Sequence, residues 1–395
     1  MLTELKDEAL KALLFLKNVQ KIVIYERKAD QDKPTKLFEI EITNATEVAA
    51  QRSQLIKDFT RHVRSGDMLD GDEILECATR PMYRMTREDG RTTEETWQVT
   101  TRIGNINKAR ASMLEDSDGD VNIADHKLIP WVGIAAPSDP AIKIDASGLF
   151  CFLPIGDIQL PFPVHVNGHF AVEQSRRDIW TNVDNKIKTK SSAGIESLWN
   201  VHLFNKQIPE AYALFLENIG LDHGTNYDLW PTSCGDGIGR DAVWKGMLKK
   251  VLRAILSRDR LVFFCGPKPD GKMSVEPYSK AYIAGRDIDA FPLLKKALHA
   301  VVDLAENIPD VILAELPGVS ECLDLTPRIL TSALVLSILH DTKQQWSLTA
   351  DAATRVEMMK YCLQDDNSIS LVGLPLLPLA GGSWVEFSRK QARGR

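Results

Sequence analysis

Apolar and polar positions alternate along this chain with two different periods, and the changes of period divide it into elements. From Leu2 to Asn18 the apolar residues Leu5, Ala9, Ala12, Leu13 and Leu16 fall on one broad helical face. "KIVIYER" and "KLFEIEI" follow as strand patterns, joined by the polar, proline-bearing "KADQDKPT", and predict a strand pair. Helical spacing returns from Glu47 to Arg64 through Val48, Leu55, Ile56, Phe59 and Val63, with Asn44 to Glu47 as the cap region. "TWQVTTRI", "IPWVGIAA", "GLFCFLPI" and "FPVHVNGHFAVE" then read as strands, the last with Val164, Val166, Phe170 and Val172 on one face. Helices interleaved with several strands, few in strict βαβ alternation, predict an α+β unit over residues 1–187.

Past Trp180 the texture becomes helical. "IESLWNVHLFNKQIPEAYALFLENIG" reads as helix with Pro209 at a break between two pieces. In "DAVWKGMLKKVLRAILSR" Trp244, Met247, Leu248, Val251, Leu252 and Ile255 recur at helical spacing, which predicts a core stripe, with Trp199 and Trp230 buried likewise. "RLVFFCGPKPDGKMSVEPY" reads as a hairpin turning at "PDG". "FPLLKKALHAVVDLAEN" and "TPRILTSALVLSILHD" predict two more helices, the second with Thr326 as N-cap and Pro327 at its first position. "LPLLPLAGGSWVEF" closes the chain as two short strands around a Gly-Gly turn. Residues 188–395 are thus expected to form a mainly helical unit with short hairpins. The polar "VDNKIKTKSSAG" is the expected linker.

Composition narrows the class. At 395 residues, 44% hydrophobic and 26% charged, the chain is long enough for more than one folded unit and reads as globular. A net charge of -6 argues against a nucleic-acid partner, which would need a basic face to displace counterions. The six cysteines are scattered without a Cys-x-x-Cys pair and read as reduced thiols. The N-terminus lacks a signal-peptide layout, and no apolar run reaches bilayer length. A cytoplasmic protein without membrane insertion is expected.

Most candidate motifs give way to plainer readings. His165 and His169 stand four apart, a zinc spacing on a helix, but here the surrounding pattern has period two and no metalloprotease glutamate follows. "DSDGD" (Asp116–Asp120) has Gly119 at position four of a calcium loop that needs glycine at six, so it reads as a solvated turn. "CGDGIGR" (Cys234–Arg240) lacks a Walker lysine and reads as a loop before the next helix. No nucleophile elbow is visible. No metal and no cofactor is expected in this chain.

"VEQSRRDIW" is different. Ser175 and Asp178 stand in capping-box relation, which puts Arg176 and Arg177 in the first turn of a helix. The helix dipole disfavours each cation there by about 0.3–1 kcal/mol. Either they pair with Glu173, Asp178 or a distant carboxylate, or they meet an anion the chain does not carry.

At these residues a resemblance enters. "LPFPVHVNGHFAVEQSRRDIW" strongly resembles the signature of the sacsin family, and "ALLFLKNVQKIVIYE" and "LPLLPLAGGSWVEF" resemble other parts of the same repeat. Each repeat of that chaperone-related family joins a GHKL-class ATPase domain to a following region. The ATPase half holds ATP with an Asn-bearing helix, an Asp-x-Gly-x-Gly loop and a glycine-rich lid. Here "GDGIG" puts Ile238 where that loop requires glycine, and the other two are missing, so the chain resembles the region after the ATPase domain.

The resemblance implies a first half similar to the ribosomal-S5-like middle domain of the GHKL chaperones. It also implies a function: coupling the ATP state of an upstream GHKL ATPase domain to polypeptide or filament clients, with other chaperones as possible partners. The chain would have no enzymatic activity alone; ATP would sit in the adjacent domain. In the related heat-shock chaperone a Ser-Arg-x-x-Leu loop contacts the γ-phosphate. Ser175, Arg176 and Ile179 match that spacing, with isoleucine for leucine, which implies a phosphate contact for Arg176 and a supporting charge from Arg177. A scaffold that has lost nucleotide coupling is the alternative, and an independent enzyme built around His165, Asn167 and His169 a third reading.

Overall fold

The computed structural model describes residues 2–27, 33–64, 74–115, 128–144, 146–180, 192–223, 227–231, 244–267, 271–364, 371–380 and 382–388. The "DSDGD" and "CGDGIGR" loops and most of the expected linker lie outside the described residues. The fold is α+β, in two compact units, Met1–Ile255 and Leu256–Arg395.

The first unit opens with α1 (Leu2–Phe15), β1 (Lys21–Glu26), β2 (Thr35–Ile42) and α2 (Ala45–Arg64), close to the expected bounds. Next come β3 (Leu75–Thr79), β4 (Met82–Arg87), β5 (Thr92–Ile103) and α3 (Ile106–Glu115). β6 (Trp131–Pro137), β7 (Ser147–Cys151), β8 (Leu153–Leu160) and β9 (His165–Gly168) complete the sheet. Among the described residues its order is β1-β2-β4-β5-β6-β9-β7-β8, with β3 also pairing β5. All these pairs are antiparallel except β7 with β9.

Alternation decides what each face of this sheet meets. On β5, Trp97, Val99 and Ile103 pack among residues of α1 and α2. Thr100 and Arg102, of opposite parity, turn toward the helix beyond: Arg102 Nη1 donates to Gln207 Oε1 (2.7 Å) and Asn218 Nδ2 to Thr100 Oγ1 (3.4 Å). That helix is α4 (Ser192–His202) and α5 (Ile208–His223), joined by a π-helical turn over Leu203–Gln207. The expected break therefore falls immediately before Pro209 and takes the form of a widened turn. With helices on both faces, every residue of β6 is buried, which is why it reads as a continuous apolar run. The expected junction at 187/188 lies outside the described residues, and α4 and α5 belong to the first unit. So does α6 (Met247–Ser257) as far as Ile255; its Met247, Leu248, Val251, Leu252 and Ile255 are buried, as are Trp199, Trp230 and Trp244.

The second unit holds β10 (Phe263–Cys265), β11 (Ser274–Glu276), β12 (Tyr282–Ile283), α7 (Pro292–His299) and β13 (Leu304–Ala305). α8 (Asp310–Glu321), α9 (Ser332–Asp341), α10 (Lys343–Thr349) and α11 (Ala352–Cys362) precede the last pair, β14 (Leu377–Pro378) and β15 (Trp384–Val385). Both expected hairpins form, β10 with β11 and β14 with β15. The helix expected through Asn307 stops at His299, because Leu304 and Ala305 become β13 between β10 and β12. The cap of α9 is Thr331, whose side chain accepts from Leu334 N, and not Thr326; Ile329 is instead bridged to Ile283. Arg355 ties this unit's helical layer together by donating to Ala350 O (3.1 Å), Pro375 O (2.7 Å) and Ser347 O (2.6 Å). Glu357 accepts from Leu293 N and Leu294 N and so caps α7 from α11.

Candidate functional site

Arg176 and Arg177 stand on a turn, and the helix expected to begin there does not form. Val172 and Ile179 bridge in antiparallel sense, Glu173 N donates to Asp178 O (2.9 Å), and Arg176 N donates to Glu173 O (2.8 Å). The segment is thus the tip of a small hairpin. Ser175 Oγ accepts from Arg177 N (3.3 Å) and Asp178 Oδ1 from Ile179 N (2.8 Å), so both polar residues of the supposed capping box brace the turn. The backbone overrode the box because the limbs on either side are held together from elsewhere.

The holder is Asn200 on α4. Its Oδ1 accepts from Ala171 N (2.9 Å), and its Nδ2 donates to Ala171 O and Trp180 O, both at 2.8 Å. One fully buried side chain therefore clamps both limbs. Beneath the tip run the β7–β8 connection and the first residues of β8. A Cβ at Gly156 would run into the Arg177 carbonyl oxygen, so the two backbones meet where only glycine fits. Arg176 Nη2 donates to Cys151 O (3.0 Å), and the Arg176 backbone itself is left-handed at φ 54°. Ile179, in the leucine position of the loop pattern, is buried at 2% exposure and plugs the tip into the core. Both arginines are exposed, and neither forms an ion pair with another described residue. Pairing with Glu173 or Asp178 is therefore not what occupies them.

His165 and His169 are placed for structure. His165 is buried, stacks on Trp97 (5.6 Å between ring centroids), and its Nδ1 accepts from Gly148 N at 2.9 Å. Burial, with a smaller effect of the Lys11 charge, pushes its pKa from 6.5 down to about 3. An unfolded chain takes up that proton near pH 6.5 and the folded chain near 3, so this histidine removes stability as pH falls between them. The slope approaches about 1.4 kcal/mol per pH unit. Melting curves from pH 7 to 4 should show this acid loss in the wild type and a shallower one in His165→Gln; identical slopes would count against the buried neutral state. His169 Nδ1 faces Ile129 N (3.4 Å) and its carbonyl accepts from Trp199 Nε1 (2.8 Å). Asn167 Oδ1 accepts from Phe152 N (2.7 Å), so the three polar residues of this stretch hold backbone.

Sequence comparison bears on the chain as a whole. Human sacsin is 25% identical to the chain over 411 residues, an alignment that takes in 95% of it. The chain is a relative of sacsin. It spans 8% of sacsin's length. No family model matches the chain. No solved structure matches it either. Two residues of the hairpin's support, Asn200 and Gly156, were not marked by local pattern. Neither had a readable signal: a lone asparagine inside an amphipathic helix, and a glycine in a strand whose neighbour across the turn is 21 positions away. No helix among the described residues is long and apolar enough to cross a membrane.

Proposed function

We propose that this chain is a segment of a sacsin-like, chaperone-related machine, without catalytic activity of its own. It presents Arg176 to the γ-phosphate of an ATP held by an upstream GHKL ATPase domain. It passes that state on to polypeptide or filament clients in the cytoplasm. The observation that carries this reading is the hairpin: two exposed guanidinium groups, unpaired with described carboxylates, on a tip whose backbone is fixed from both sides. A guanidinium placed in advance needs no reorganisation when charge develops on a transferring phosphoryl group. An arginine supplied from a neighbour in this manner contributes about 10³–10⁵ in turnover where it has been measured. The tip offers no helix N-terminus, so the charge comes from the two side chains and not from a ring of backbone N–H groups.

The Arg176–Cys151 hydrogen bond favours a second reading, a scaffold in which the arginine only ties the tip to the β7–β8 connection. ATP hydrolysis separates the two. A sacsin-type ATPase domain fused ahead of this chain should turn over faster than the domain alone. Arg176→Ala should remove most of the gain, and Arg177→Ala a smaller part. Wild-type rates in both single variants and in the double variant, with melting unchanged, would leave the scaffold reading standing.

A further inference from the structure

The end of the sheet that carries the hairpin also carries a third cation without an anionic partner. Lys17 follows α1, whose terminal carbonyls, Leu14 O and Leu16 O, are already taken by the Arg52 guanidinium at 2.9 Å each. Its Nζ therefore does not cap the helix. It lies instead 3.9 Å from the centroid of the Trp131 ring and 4.7 Å from that of Phe152. Among the described residues no carboxylate or carbonyl accepts from it. Half-burial draws its pKa below the usual lysine value, because lost water disfavours the charged form.

Phe152 joins this lysine to the arginines. Its ring receives Lys17 on the side of Trp131 and His169. The preceding residue, Cys151, gives its carbonyl to Arg176. Phe152 has a left-handed backbone (φ 63°), pinned by Asn167, so the turn that aims its ring is a fixed one. Two cations from separate elements, the end of α1 and the hairpin tip, thus converge on one turn. Neither has a described acidic partner. Lys17 is half-buried while Arg176 is exposed, and a partly desolvated cation gains most from an anion that a second, solvated cation can help to hold.

We propose that Lys17 and Arg176 form a bipartite site for one polyphosphate group, with Lys17 leaving the face of Trp131 to contact it. The inference rests on the reading of Arg176 as a phosphate-facing residue and adds a second ligand to it. The chemistry asks for a multiply charged anion long enough to reach both a cation over the Phe152 ring and one at the Cys151 carbonyl. A triphosphate fits that description better than a single phosphate.

Inorganic tripolyphosphate added to the full chain at millimolar concentration tests this without any ATPase domain. Modification of individual lysines by an amine-acylating reagent, read by mass spectrometry, reports on Lys17, and the part of the tryptophan emission change that Trp131→Phe abolishes reports on the ring it leaves. The expected result is protection of Lys17 by tripolyphosphate, with a change in tryptophan emission. Arg176→Gln and Lys17→Gln should each weaken binding about fivefold, the size of one partly exposed ion pair. Lys17→Arg should bind as the wild type does. Arginine-dependent binding without protection of Lys17 would overturn the lysine's part and leave the arginine reading intact. Protection of Lys17 indifferent to Arg176→Gln would overturn the shared site. No binding by the wild type would overturn it as well, while the fused ATPase assay would still judge Arg176 on its own.

Discussion

Calorimetry of Trp244→Ala should show the first unit melting roughly 10 °C lower than the wild type. Trp244 is 2% exposed, and its ring meets Phe204 edge-on at 4.4 Å and Phe162 at 6.1 Å. Truncating a large buried aromatic costs about 3–5 kcal/mol, from lost transfer energy and from the cavity its neighbours cannot close. The loss should be near the top of that range, because Phe204 sits on the π-helical turn and cannot shift without moving α4 and α5. An unchanged melting temperature would mean that the ring is at the surface.

The second large effect concerns the clamp. Asn200→Ala removes the partner of Ala171 N and of Trp180 O, and one of two donors to Ala171 O, which keeps Trp180 N at 3.2 Å. Each buried backbone group left unpaired costs about 1–3 kcal/mol, so the loss should be several kcal/mol unless water enters. Asn200→Asp sharpens the argument. A carboxylate can still accept from Ala171 N, but its second oxygen then opposes two carbonyl oxygens, and the substitution should be no milder than alanine. Hydrogen exchange is the direct measurement, since the Ala171 amide should exchange much faster in both variants. Slow exchange at Ala171 in Asn200→Ala would show that the limbs hold without the clamp.

Periodicity made part of the sheet legible, while β3 and β4 went unread and "GLFCFLPI", read as one strand, turns at Phe152 into β7 and β8; contact made the site illegible. The apolar run of β6 and the alternation of β5 stated their own burial, because what a strand meets is written every second residue. The tip at Arg176 was misread because Ser175 and Asp178 satisfy a local rule for helix starts, while the deciding group, Asn200, lies more than twenty positions later. The same competition explains Leu304 and Ala305: both are good helix formers, and a free edge between β10 and β12 took them. Thr326 and Thr331 each precede a helical pattern, and only the bridge from Ile329 to Ile283 chooses between them. Lys17 had no signal at all, since its meaning comes from rings contributed by one distant strand and one distant turn.

The left-handed backbone at Arg176 carries a further lesson for anyone engineering this chain. An L-residue with a Cβ pays about 1–2 kcal/mol to sit there, and glycine or asparagine would sit more easily. A screen that selects only for thermal robustness would therefore favour replacing Arg176, and each round would be scored as an improvement. If its guanidinium reads nucleotide, the most durable version of the protein would also be the one that no longer hears its ATPase.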